Sequence, residues 1–234
     1  MKESRLKQAM HYKLSEFGWS SLYVYGIAIV AIVVIGRLVT INIDDSSFSA
    51  GLGGVGFIHF LIIGISGIRQ DLKFFIQHGV SRRTTFFSNF YGSLICSTAL
   101  GLFCVLFDIV VYHVTGFNYN SAAFTVQSFF TGWVTHTVAF FAAWQVGAFV
   151  SLIYYRLGKM QRIVFTVGII AVVVFGFTSG VRLLSDAFDD LGDIISSLVE
   201  NGLGFITLGI WAGLVFGLLA SIGNYLLVRR VQIT

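Results

Sequence analysis

The chain contains no proline and only two cysteines, and charged side chains make up 11% of its 234 residues. Each shortage excludes something. Without proline, no helix is forced to kink by a missing backbone donor. Cys96 and Cys104 lie eight residues apart on one expected helix, so their Cα atoms are about 12 Å apart, too far for a disulfide. The scarcity of charge, set against 56% hydrophobic residues and a mean hydropathy of +0.85, is incompatible with an ordinary soluble domain. Reaction signatures are lacking too: there is no HExxH, no CxxC pair and no GxSxG, so no metal site or catalytic residue is expected. The one Gly-Lys pair, Gly158-Lys159, is followed by Met160, and Ile153 stands where a P-loop needs its first glycine. Gly51, Gly53 and Gly56 spell GxGxxG, but they open an apolar run instead of ending a strand, and the match is read as chance.

What the sequence has is long apolar runs. A membrane-spanning helix needs roughly 20 apolar residues, and six stretches qualify: 22–41, 51–68, 91–114, 129–154, 163–181 and 203–228. They use most of the chain, so the expectation is one all-α, polytopic membrane domain over 1–234 with six transmembrane helices. Thirteen of the fifteen Lys and Arg residues fall on one side of that pattern. They are Lys2, Arg5, Lys7 and Lys13 before the first run, Arg69, Lys73, Arg82 and Arg83 after the second, Arg156, Lys159 and Arg162 after the fourth, and Arg229 and Arg230 after the sixth. Basic loops stay in the cytoplasm, which places both termini there. The sequence pI near 9.2 fits this topology and attraction to anionic lipid. The basic residues are dispersed over four segments, which argues against nucleic acid. Polar residues fill the first eighteen positions, and the first apolar run is long enough to span, so no cleavable signal is expected.

Two segments outside the runs are amphipathic. Over 1–18, Leu6, Met10, Leu14 and Phe17 share a helical face among basic residues, which predicts a helix lying in the interface. It either only sets topology or acts as a lever beside a cytoplasmic partner. After the second run, Ile68, Leu72, Phe75 and Ile76 form one face against polar Arg69, Asp71, Lys73 and Gln77, and Gly79 suits a helix C-cap. Ser81 or Thr84 is placed to cap the helix that follows. This short helix lies on lipid, or it inserts Phe74, Phe75 and the basic turn into a groove of a soluble subunit, with Arg82 and Arg83 meeting that subunit's acids. Small residues also recur at every fourth position, as Gly209, Gly213, Gly217 and Ser221 and as Ala139, Ala143, Gly147 and Ser151. Such stripes pack helices closely, within one bundle or between subunits. Asp108, His59 and His136 are ionisable groups at membrane depth, where charge is costly. Asp108 and His136 are expected to lie near the same end of their helices, either as a structural pair or beside a substrate pathway.

An amphipathic amino-terminal helix, six runs with both ends inside, the segment RQDLKFFIQHGVSRRTTFF between runs two and three, and the closing NYLLVRRVQ together resemble the membrane subunit of an exporter-type ABC transporter. The resemblance covers the whole chain and is nearest to small permeases of Gram-positive bacteria whose ATPase is a separate chain. It implies a coupling helix over 70–78 and a turn over 79–83, with Asp71, Lys73, Phe74, Phe75, Gln77, Gly79, Ser81, Arg82 and Arg83 docking an ATPase. It also implies short external re-entrant helices over 184–200, where Leu184, Phe188, Leu191, Ile195 and Leu198 make an apolar face.

On that resemblance the chain would be a permease in a bacterial plasma membrane. It would pair with a second, identical or related permease and with two copies of a cytoplasmic ATPase, which alone would hold ATP and magnesium. Its abundant Phe and Tyr favour an apolar or amphipathic substrate such as a peptide, drug or lipid-like molecule. A non-transporting membrane sensor or assembly scaffold is the alternative, and an intramembrane enzyme is third. Topology is checked by fusion: a fluorescent protein placed after Thr234 is expected to fluoresce and alkaline phosphatase there to stay inactive. An active phosphatase would reverse the assignment.

Overall fold

The computed structural model describes residues 2–42, 52–115, 126–158, 160–164, 166–167 and 204–230. Five long helices occupy them: α1 Lys2–Asn42, α2 Leu52–Gln77, α3 Arg82–Thr115, α4 Val126–Arg156 and α5 Gly204–Arg230. By length and composition, α2, α3, α4 and α5 are each long and apolar enough to cross a membrane. The chain is therefore a helical membrane protein with four such helices among the described residues. The expected first run lies within α1. Most of the expected fifth run, and all of the expected external helices over 184–200, lie outside the described residues.

The expected boundaries differ in two places, for one reason. The interface helix over 1–18 is not a separate element but the first part of the 41-residue α1. Likewise the expected coupling helix is the last part of the 26-residue α2. Neither junction contains a proline, so no backbone donor is missing and each helix runs on unbroken.

Lipid tails offer helices no hydrophobic reason to associate, so packing and polar contacts must hold a bundle together. Helix α4 is the centre of this one, packed against α2, α5 and α3, while α1 leans on α3 and α2. Phe60, Phe140 and Trp144 fill the middle with Phe17 and Leu100, and Ile68, Leu72, Phe86, Leu152 and Val228 fill a second core toward the α2–α3 turn. Outward-facing apolar side chains such as Ile27, 71% exposed, and Phe216 suit a lipid surround.

Glycines decide the closest contacts. A Cβ on Gly147 would sit 2.5 Å from the Leu61 carbonyl oxygen, and one on Gly64 would strike the Trp144 carbonyl, so α2 and α4 touch backbone to backbone. Gly101 meets Thr137 on α4 in the same manner. On α5, Gly213 and Gly217 rest against Val138 and Phe141, and Ser221 is buried, so this part of the small-residue stripe faces α4 of the same chain. Gly53 and Gly56 make room for His136 and Phe140.

Gly64→Ala and Gly147→Ala are each expected to destabilise by about 1–3 kcal/mol, because backbone cannot yield as a side-chain tip can. Gly18→Ala and Gly26→Ala, where nothing lies within 4 Å, are expected to be neutral or stabilising by up to about 1 kcal/mol through helix propensity. Thermal unfolding in one detergent checks the contrast.

Candidate functional site

The α2–α3 turn is built by end signals on both sides. Gly79 adopts φ 71°, its amide donates to the Ile76 carbonyl at 3.0 Å and the Val80 amide donates to Phe75 at 2.8 Å. These two bonds form a Schellman closure, which needs a residue free of Cβ crowding at positive φ. Ser81 then caps α3: its hydroxyl oxygen accepts the Thr84 amide at 3.2 Å and lies 2.8 Å from the Thr84 hydroxyl. Four residues, 78–81, thus join two helices that are both capped.

The segment expected to dock a partner is divided by this geometry. Asp71 and Phe75 are buried inside the bundle, whereas Lys73, Phe74, Gln77, Ser81, Arg82 and Arg83 are exposed. Phe74, 40% exposed, stacks on Tyr12 of α1 at 5.2 Å and lies tilted against His78 at 4.3 Å. Arg82 donates to the Arg229 carbonyl at 3.3 Å, tying the turn to the end of α5.

Asp71 turns inward to meet Lys13, and the two form a salt bridge with side chains only 4% and 5% exposed. Lys13 Nζ also donates to Asn89 Oδ1 at 3.0 Å and lies 5.4 Å from the centre of the Trp144 ring. Trp144 Nε1 donates to the same Asn89 oxygen at 3.1 Å. One residue each from α1, α2, α3 and α4 is thereby joined. One turn on, Gln145 Nε2 donates to Ser93 Oγ at 2.8 Å, and Asn224 Nδ2 donates to the Gln145 carbonyl at 2.9 Å and to Gln145 Oε1 at 3.1 Å. This second group adds α5. At the bundle edge, burial and the Asp71 carboxylate push the Glu16 carboxyl above its usual range, and Lys13 offsets part of that.

Sequence reasoning missed this network. Lys13, counted among the basic residues on the cytoplasmic side, is buried in the protein interior. Asn89, Gln145 and Asn224 carried a signal, since each is a large polar side chain inside or beside an apolar run, where an unpaired amide is expensive. The expected apolar face of 1–18 is also rotated: Ala9, Lys13 and Phe17 are buried, while Leu6, Met10 and Leu14 are half-buried.

The membrane-depth groups do not form one site. Gly101 lies against Thr137, and Val105 against Gly132. That antiparallel register sets Asp108 roughly 10 Å along the axis from His136, at ~1.5 Å per residue. No ion pair joins them. His136 stacks on Phe140 at 5.7 Å. His59 is buried, lies 3.3 Å from the Ser21 hydroxyl and is packed among Phe17, Tyr25 and Phe60. Cys96 and Cys104 are free and buried. Among the described residues no three His, Cys, Asp or Glu side chains gather as metal ligands do.

A buried pair broken on one side leaves an uncompensated charge, which typically costs 3–5 kcal/mol, whereas replacing both partners by apolar groups is often neutral. Lys13→Met and Asp71→Leu alone are therefore expected to lower the unfolding midpoint strongly, and the double variant to recover most of the loss. Additive losses would deny the coupling.

Comparison of the chain with protein families, with curated proteins and with solved structures finds no match.

Proposed function

We propose that this chain is the membrane-spanning permease subunit of an ATP-driven exporter, with the ATPase on a separate cytoplasmic chain. The observation that carries the reading is the exposed end of the α2–α3 hairpin. Phe74 offers an apolar anchor and Gln77 a hydrogen-bonding group at the end of α2, and Arg82 and Arg83 supply two cations at the start of α3, on either side of a four-residue turn closed by hydrogen bonds. An aromatic anchor beside arginines is the composition that carries binding energy at protein interfaces. The absence of a P-loop from the sequence fits a motor on another subunit.

Coupling then follows from connection. A push on the turn acts on α2 and α3 together, because the Schellman closure and the serine cap join them directly. Through Lys13–Asp71 and Asn89 it also acts on α1 and α4. Nucleotide-driven movement of the docked subunit would bias the bundle between two arrangements, and a cavity shared with a second permease would open to one side or the other. The substrate on this reading is apolar or amphipathic, and ATP and magnesium bind on the partner.

The test is affinity purification of the tagged chain from its native membranes in mild detergent, with co-purifying proteins identified by mass spectrometry. The wild type is expected to retain an ABC-type ATPase. A monodisperse Phe74→Asp/Arg82→Ala/Arg83→Ala variant is expected to retain on the order of tenfold less, the equivalent of about 1.4 kcal/mol. A wild type that brings down no ATPase replaces this reading with the sensor or scaffold.

A further inference from the structure

One cleft takes no part in the turn or the polar crosslinks. It opens between α2, α4 and the helical residues 160–164, has a volume of about 430 Å³, and is lined by Ser66, Gln70 and Lys73 of α2, Ser151 and Tyr154 of α4, and Arg162. Ser66, Gln70 and Lys73 follow i, i+4, i+7, so one stripe of α2 faces it. That stripe differs from the one carrying Asp71 and Phe75 into the bundle.

Charge and position identify an occupant. Two cations from different elements line the cleft, and no carboxylate is among the residues lining it. Arg162 is held in place: its Nε donates to the Leu157 carbonyl at 2.8 Å, and its guanidinium lies 5.6 Å from the centre of the Tyr154 ring. Two cations lining one cleft with no acid among them favour an anion there. Lys73 is four residues from the end of α2 and Tyr154 two from the end of α4, so the cleft reaches the ends of two candidate spans. Ile65 and Tyr154, both exposed, add apolar surface to its lining. A cation pair above apolar surface at that depth matches a phosphodiester carried on acyl chains, and basic pockets between spanning helices bind such headgroups.

We propose that this cleft binds an anionic phospholipid, with the headgroup phosphate between Lys73 and Arg162, the hydroxyl and amide groups of Ser66, Gln70 and Ser151 on the polar headgroup, and an acyl chain along Ile65. The site is independent of whether the chain transports anything.

The test is native mass spectrometry of the purified full chain with dioleoyl phosphatidylglycerol or dioleoyl phosphatidylcholine added. The wild type is expected to retain the anionic lipid about tenfold better, Lys73→Gln/Arg162→Gln to lose about tenfold of that binding, and Arg162→Lys to keep most of it. Equal retention of the two lipids by the wild type overturns the proposal whatever the variants do. So does a monodisperse double variant that binds phosphatidylglycerol as the wild type does. An equal loss from Arg82→Gln/Arg83→Gln would make the attraction diffuse and also overturn it. Displacement of the lipid by millimolar inorganic phosphate would assign the cleft to a soluble phosphoryl ligand instead.

Discussion

The bundle depends on the place where α2 and α4 meet with nothing between their backbones. Gly64 and Gly147 leave carbonyl and amide groups of the two helices in contact, and that approach fixes the distance and register of the central pair. In lipid, burying a leucine instead of exposing it gains little, whereas dispersion between closely fitted backbones survives the change of solvent. Everything else is arranged around this pair: Phe60 and Phe140 stack on one side of it at 5.0 Å, and Ile68 packs with Leu152 on the other.

Polar groups then supply what packing in lipid cannot, a preference for one arrangement over its near neighbours. The Lys13–Asp71–Asn89–Trp144 group and the Ser93–Gln145–Asn224 group occupy consecutive turns of α3 and adjacent residues of α4. A slip of one helix by a single residue would strand several of these groups without partners, and a stranded buried polar group costs more than a satisfied one gains. Serines and threonines elsewhere avoid the problem by bonding within their own helix, as Ser97 and Thr98 do to Leu94.

Much of this is legible in the sequence. The apolar runs marked the helices, Gly79 and Ser81 marked the end of α2 and the start of α3, and the spacing of the cysteines excluded a disulfide. Helix continuity was harder to read, because an amphipathic or basic stretch joined to an apolar one looks like two elements although nothing in its backbone chemistry interrupts it. The pairing of Lys13 with Asp71 was hidden for a different reason: charge alone points each to a polar surface. Their pairing depends on a separation of 58 residues in sequence, which no local pattern encodes. Gly64 was overlooked because its value lies in what α4 presents opposite it.

The unbroken course of α1 gives the pairing at Lys13 a reach beyond its contacts. Successive residues of a helix advance by about 100°, so a continuous rod has one azimuth to set. Lys13 sets it together with Phe17 and Tyr25, which are buried on the same side, and the side chains turned outward, Trp19, Leu22, Tyr23, Ile27 and Val30, follow from that setting. Adding one residue between Lys13 and Trp19 would leave the composition of the helix almost untouched. It would rotate this whole outward stripe by more than a quarter turn toward its neighbours, as a key cut one notch out of phase meets the wrong pins.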